Sequence, residues 1–317
     1  MKGILAVLLG AVAMMGVLLM GGCGGGASQN PGDKPTAVTA IFSYYDALRA
    51  IGGDDVNVVI LLPPGSSPHE YEPTLKDKVT MSRAKLMVAN GLNIDNWFLK
   101  MTGENSDAVV INVSDLLTAK GIQPLHTEEV SVTDPKDKKA GEPAEDVSAG
   151  NPHIWLDPRV QGMAAAAIRD ALIKIDPAHA EGYKTRADVY LKQLDQLDAD
   201  FTAAASTFKQ KDFIGFHSAY AYLARRYGLN QVASVEEIPG EGPTISQTLN
   251  IIKLIKDKNI HVVFTENAFP AKAMDMIVRE TGVSTSVLQP LETYDDASQT
   301  YVSLMRQNLE AFKKVLN

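Results

Sequence analysis

The sequence predicts an α/β protein of two pseudo-symmetric lobes, each a mostly parallel sheet flanked by helices, joined by one long backbone helix. Two observations carry this. Short apolar runs alternate with helical stretches in two separate series. Between the series, a stretch of about thirty residues keeps leucines and tyrosines at helical spacing, about 45 Å at 1.5 Å per residue. Strands that alternate with helices form parallel sheets covered on both faces, because each crossover lays a helix on the sheet.

Residues 1–22 read as a targeting segment outside the fold: Lys2 precedes an apolar run over 4–20, and Gly21-Gly22-Cys23 closes it. This is the pattern of a lipoprotein signal peptide with Cys23 acylated, although Met20 stands where Leu is usual. An uncleaved membrane helix is the alternative. Both put the folded part outside the cytoplasmic membrane, lipid-anchored to a bacterial membrane in the first case, at the cell surface or in the periplasm. Two or more acyl chains would make that anchor stable. Residues 23–35 are rich in Gly, Ser, Asn and Pro and read as a flexible tether.

The first lobe is expected over 36–175. Runs 38–42 and 56–62 read as buried strands around a helix over 44–51 that Gly52-Gly53 ends, and 86–89 and 109–111 as further strands. The polar segment 126–150 lacks periodic apolar residues and reads as a surface loop. A helix over 159–175 follows, and Asp176-Pro177 opens the linking helix, assigned to 176–208. The second lobe, 209–317, is expected to hold strands at 213–216, 231–234, 261–264 and 284–288. Helices are expected at 219–227, 245–257, 271–280 and 297–316.

Cys23 is the only cysteine, so disulfides and thiolate metal sites are excluded if lipid occupies it. A formal charge of −8 argues against nucleic acid as a partner. Attention therefore falls on three histidines in local patterns that present them. His69 lies in a Pro/Gly/Ser turn, which keeps the loop tip stiff. His153 follows Pro152 and precedes Ile154-Trp155-Leu156-Asp157-Pro158. His217 follows the run 213–216 and precedes Ser218, a suitable helix cap. All three read as strand-to-helix transitions, where open α/β sheets collect ligands. Three converging imidazoles suit zinc first. His179 and His261 read as structural or surface residues, and His126 at most assists capture.

These residues resemble the zinc- and manganese-binding solute-binding lipoproteins of ABC importers, in particular the zinc-binding branch of cluster A-I. The resemblance runs from about Thr36 to the C-terminus. It rests on Leu62-Pro63-Pro64-Gly65 through His69-Glu70-Tyr71-Glu72-Pro73, on Asn151-Pro152-His153-Ile154-Trp155-Leu156-Asp157-Pro158, on Phe216-His217, and on the stretch from Tyr301 to Leu309. It implies one metal site between the lobes, with ligands at His69, His153 and His217. Histidine at the third position distinguishes zinc binders from manganese binders, which tend to have a carboxylate there. The family commonly completes the site with Asp in Leu-Asp-Pro-Leu, whereas this chain has Leu288-Gln289-Pro290-Leu291. Gln289, Glu292, Glu70 or water therefore stands as the fourth ligand.

The expected function is extracytoplasmic capture of zinc(II), as a monomer and without catalysis, and delivery to an ABC transporter permease in the cytoplasmic membrane. A manganese(II) binder, an adhesin on the same fold, or a secreted zinc hydrolase with Glu70 as general base are the alternatives. The hydrolase lacks a His-Glu-x-x-His motif.

Overall fold

The computed structural model describes residues 34–126, 149–236, 242–266 and 272–317. The expected signal peptide, Cys23, the expected tether up to residue 33 and most of the polar segment 126–150 lie outside the described residues. Among those described, no helix is long and apolar enough to cross a membrane.

The first series of elements is β1 (Thr36–Thr39), α1 (Phe42–Gly52), β2 (Asn57–Ile60), α2 (Leu75–Ser82), β3 (Leu86–Ala89), α3 (Asn96–Thr102), β4 (Val109–Asn112) and α4 (Val113–Ala119). Two helices follow, α5 (Pro158–Ile175) and α6 (Ala180–Ala205). The second series is β5 (Asp212–Gly215), α7 (Ala221–Tyr227), β6 (Asn230–Ser234), α8 (Ile245–Lys258), β7 (Val262–Thr265), α9 (Lys272–Thr281), β8 (Ser284–Val287) and α10 (Tyr301–Leu316). The strands form two sheets, ordered β2-β1-β3-β4 and β6-β5-β7-β8. Every pairing is parallel, and the second sheet repeats the order of the first.

Strand alternation divides the core. In a strand, successive side chains leave opposite faces of the sheet. Ala37, Leu86, Phe213 and Val262 enter one large apolar cluster that also holds Tyr44, Trp155, Phe201 and Phe312. Their neighbours Val38 and Met87 enter a separate cluster in the first lobe. Ile214 and Val263 do the same in the second. Each sheet thus has a private outer core, and both share an inner one built with α5, α6 and α10. Continuous packing across that inner core restricts how far the lobes can move apart.

Two strands are shorter than the apolar runs that predict them. The run 38–42 ends as strand at Thr39, and α1 already begins at Phe42. Ala40 and Ile41 are apolar because a loop buries them, and the Phe42 N–H donates to the Glu292 carbonyl at 2.9 Å. Similarly, β2 stops at Ile60, while Leu61 and Leu62 stay buried.

The linking helix is also shorter than expected. Pro177–His179 form a 3-10 turn, and α6 itself has 26 residues, about 39 Å. It ends where the Ser206 and Thr207 hydroxyls bond back to the carbonyls of Ala203 and Ala204. Tyr183, Ala187, Tyr190, Leu194, Leu197 and Phe201 form its buried stripe at helical spacing. Asp198 accepts from Arg159, Arg226 and Tyr227, joining α5, α6 and α7.

Candidate metal centre

His69 sits on the long loop between β2 and α2. Gly65 takes the left-handed φ of +74° at the tip, and its N–H donates to Thr293 Oγ1 at 3.1 Å. The far end of the loop is fixed by a capping box. The Asp77 N–H donates to Thr74 Oγ1, and Asp77 Oδ2 accepts from the Thr74 N–H at 2.7 Å and from Tyr71 at 2.9 Å. Both ends of the loop are therefore anchored, one of them to the second lobe.

His153 lies just before the 3-10 turn Ile154–Leu156, which leads into α5, and residues 149–152 directly before it form no strand. The expected strand-to-helix transition is thus a loop-to-turn transition here. Three contacts hold the segment instead. Asn90 Nδ2 donates to the Pro152 carbonyl at 2.9 Å, and the Asn151 side-chain oxygen accepts from the His153 N–H at 3.0 Å. The same oxygen faces His153 Nδ1 at 3.1 Å. Asn90 is itself placed by the loop after β3, where Gly91 has φ +83° and a Cβ would lie 2.2 Å from Ser114 Oγ. Asp95 accepts from the N–H groups of Asn90 and Gly91, and burial still pushes its carboxyl up to about 6.

His217 follows β5, the strand with neighbours on both sides of the second sheet at which the connection direction reverses. Ser218 makes no side-chain cap; it begins a 3-10 turn, Ser218–Tyr220, that precedes α7. Gln231 frames this turn, donating to the His217 carbonyl at 2.7 Å and accepting from the Tyr220 N–H at 3.1 Å. His217 Nδ1 lies 2.8 Å from Glu266 Oε1.

Glu292 reaches the same cluster from the loop after β8. The Ser43 hydroxyl donates to the Leu291 carbonyl at 3.0 Å, and Trp155 Nε1 to the Pro290 carbonyl at 2.8 Å. This loop of the second series is therefore bonded to α1 and to the segment carrying His153. Glu292 Oε1 lies 2.9 Å from His153 Nε2, 3.2 Å from His217 Nε2 and 3.5 Å from His69 Nε2. The two Nε2 atoms of His153 and His217 are 3.2 Å apart. One ligand atom from each of His69, His153, His217 and Glu292 lies within 4.8 Å of the other three, a set able to hold a metal ion.

Burial and charge set the proton positions. Burial holds the His153 imidazole down at about 4, against the opposing pull of Glu292. For His217 burial is again the largest influence and lowers its basicity, but Glu266 and Glu292 together outweigh it and hold the ring well above the ordinary range. Burial would raise Glu292, yet its bonds to His153, His217 and His69 hold it well below the usual carboxylate range. The centre is thus a buried anion surrounded by imidazoles.

Of the expected residues, the structure brings together His69, His153, His217 and Glu292. Gln289 meets the fold through its backbone, donating to and accepting from the side chain of Asn308. Glu70 is exposed and stands outside the cluster. His126 is exposed, His179 bonds Asp176 on the surface, and His261 pairs with Asn259. Sequence reasoning did not single out Glu266. Its signal is its place directly after the apolar run of β7, at the carboxyl edge of the second sheet.

Comparison with known proteins places the chain among zinc-binding relatives. The zinc-binding protein AdcA of Streptococcus pyogenes is 31% identical over 287 residues, covering 88% of this chain and 56% of that protein. The chain thus spans about half the length of that curated relative. The high-affinity zinc uptake system protein ZnuA of Bacillus subtilis is 31% identical over 310 residues and is covered to 94%, as is this chain. The crystal structure of Zn(II)-bound AdcA from Streptococcus pneumoniae superposes with a TM-score of 0.73 at 28% identity, over 90% of this chain and 58% of that one. A family model described as ZnuA, zinc-uptake complex component A, periplasmic, matches residues 37–315, and the chain belongs to that family.

Proposed function

We propose that this protein captures zinc(II) outside the cytoplasmic membrane and hands it to the permease of an ABC importer, as a carrier and not a catalyst. His69, His153, His217 and Glu292 are its ligands. Residues 36–175 and 209–317 act as the two lobes, and acylated Cys23 holds the protein at the membrane. The zinc-binding and zinc-uptake relatives support this reading.

One observation carries it. Four buried or half-buried donors from both lobes converge with separations of 2.9, 3.2, 3.2 and 3.5 Å among the pairs around Glu292 Oε1 and His217 Nε2. Zinc with ligands at 2.0–2.2 Å defines a tetrahedron whose edges are about 3.4 Å. Those four separations are close to that edge, and every pair of the cluster lies within 4.8 Å. Three imidazoles and one carboxylate also favour zinc over manganese, which prefers more oxygen ligands.

Calorimetric titration of zinc into the protein and into His217→Ala tests the proposal. One ion per chain, with binding lost or severely weakened in the variant, supports it. Unchanged affinity in the variant removes His217 from the site.

A further inference from the structure

The structure assigns Glu266 as the positioning residue that fixes the His217 ring with a hydrogen on Nδ1 and Nε2 directed at the zinc site. The inference rests on the proposed ligand role of His217. Glu266 lies directly after β7 with its side chain only 2% exposed. Its Oε1 lies 2.8 Å from His217 Nδ1 and accepts from the Tyr220 hydroxyl at 3.0 Å. Its Oε2 is buried without a hydrogen-bond partner among the described residues. Both donors converge on one oxygen of a buried carboxylate, an arrangement made for orienting a ring more than for satisfying the carboxylate itself.

The chemistry follows from what each atom can do. A carboxylate oxygen is an acceptor, so the ring nitrogen facing it must carry the hydrogen. The other nitrogen, Nε2, points into the cluster, 3.2 Å from both His153 Nε2 and Glu292 Oε1, and it is the one that gives up its hydrogen when a metal binds. The negative charge behind the ring also makes Nε2 a better electron donor. His153 has a neutral counterpart, the amide oxygen of Asn151, at the same ring position. The two imidazoles therefore differ in their support, and the second lobe's ligand has the anionic one. Gln231 holds the backbone of His217 and Tyr220 in one frame, which keeps both donors in place on Glu266 Oε1.

The test compares Glu266→Ala, Glu266→Gln and His217→Ala. Zinc dissociation constants come from competition with a chromophoric chelator. The His217 ring N–H is followed by long-range proton–nitrogen spectra of the zinc-loaded protein, and unfolding of the metal-free protein serves as a folding control. Glu266→Ala is expected to bind zinc roughly 10–100-fold more weakly and to lose the protected Nδ1–H signal. Glu266→Gln keeps an oxygen acceptor without the charge, so it should retain that signal and weaken binding measurably but by less than Glu266→Ala. Affinity within twofold of the unmodified protein in folded Glu266→Ala, or a protected Nδ1–H that survives there, overturns the inference. If the Ala variant does not fold, the Gln variant decides, and unchanged affinity in it overturns the inference. The two readings separate cleanly: loss of binding in His217→Ala without loss in Glu266→Ala refutes only the positioning role, whereas unchanged binding in His217→Ala refutes the ligand role first.

Discussion

Glu292 Oε1 and His153 Nε2 lie 2.9 Å apart although 139 residues of chain separate them. The contact joins a loop of the second sheet to a turn that opens α5, and it places an anion at the point where the imidazoles meet. Replacing Glu292 by Gln keeps the shape but removes the charge. Zinc affinity is expected to fall by more than the roughly 10–100-fold that follows loss of an outer hydrogen-bond partner. Chelator competition measures this directly, and a change below tenfold would count against Glu292 as a ligand.

Proton release gives an independent prediction. Despite the opposing effect of burial, Glu266 and Glu292 keep His217 above its ordinary range, so the metal-free ring carries a proton at neutral pH. His153, lowered to about 4 by burial, is already neutral there. Zinc requires neutral imidazole, so binding near pH 7 should release about one proton and strengthen by about tenfold per pH unit across that range. The linkage to metal-free stability has two signs. His217 contributes stability that is full below the unfolded imidazole range and is lost as pH rises through its raised value. The contributions of His153 and Glu292 are lost as pH falls toward their lowered values. Calorimetry in buffers of different ionisation heat counts the protons, and a count of zero would contradict the charge state assigned to His217.

Asn151 supports both lobes at once: its side-chain oxygen accepts from the His153 N–H and its amide nitrogen donates to the Ser218 carbonyl. Asn151→Ala should weaken zinc by roughly 10–100-fold and lower unfolding free energy by about 1–3 kcal/mol, because a buried carbonyl and N–H lose their partners. Denaturant unfolding of the metal-free variant, alongside the zinc titration, checks both effects. A stability loss without an affinity loss would limit Asn151 to a structural role.

The contrast between Glu292 and the histidines explains what could be read in advance. His69, His153 and His217 each stand in a local pattern of prolines, glycines or a strand end, so their neighbours point to them. Glu292 has no such pattern, and its role depends on the chain reversal at Leu291, where a non-glycine residue takes φ +58°. The two α/β series were readable because buried parallel strands are short and apolar, as in Phe213-Ile214. Their ends were less so: Ala40 and Ile41 owe their apolar character to a buried loop, which periodicity cannot distinguish from a strand. Glu266 became visible only when the tertiary fold set it behind His217.

Asp198 provides a contrasting site far from this chemistry in role. It accepts from Arg226 at 2.6 and 2.8 Å, and also from Arg159 and Tyr227. Asp198→Ala should destabilise the fold by about 1–3 kcal/mol, since several donors lose one acceptor. Zinc affinity of the folded variant should remain within twofold. A large affinity loss would mean that the packing of α5, α6 and α7 controls the site geometry.

The most direct measurement is anomalous diffraction at the zinc edge from crystals of the zinc-loaded protein. One peak is expected within about 2.0–2.2 Å of a nitrogen from each of residues 69, 153 and 217 and of a Glu292 oxygen. A zinc peak elsewhere, or one bound by imidazoles of a single lobe, would contradict the shared site.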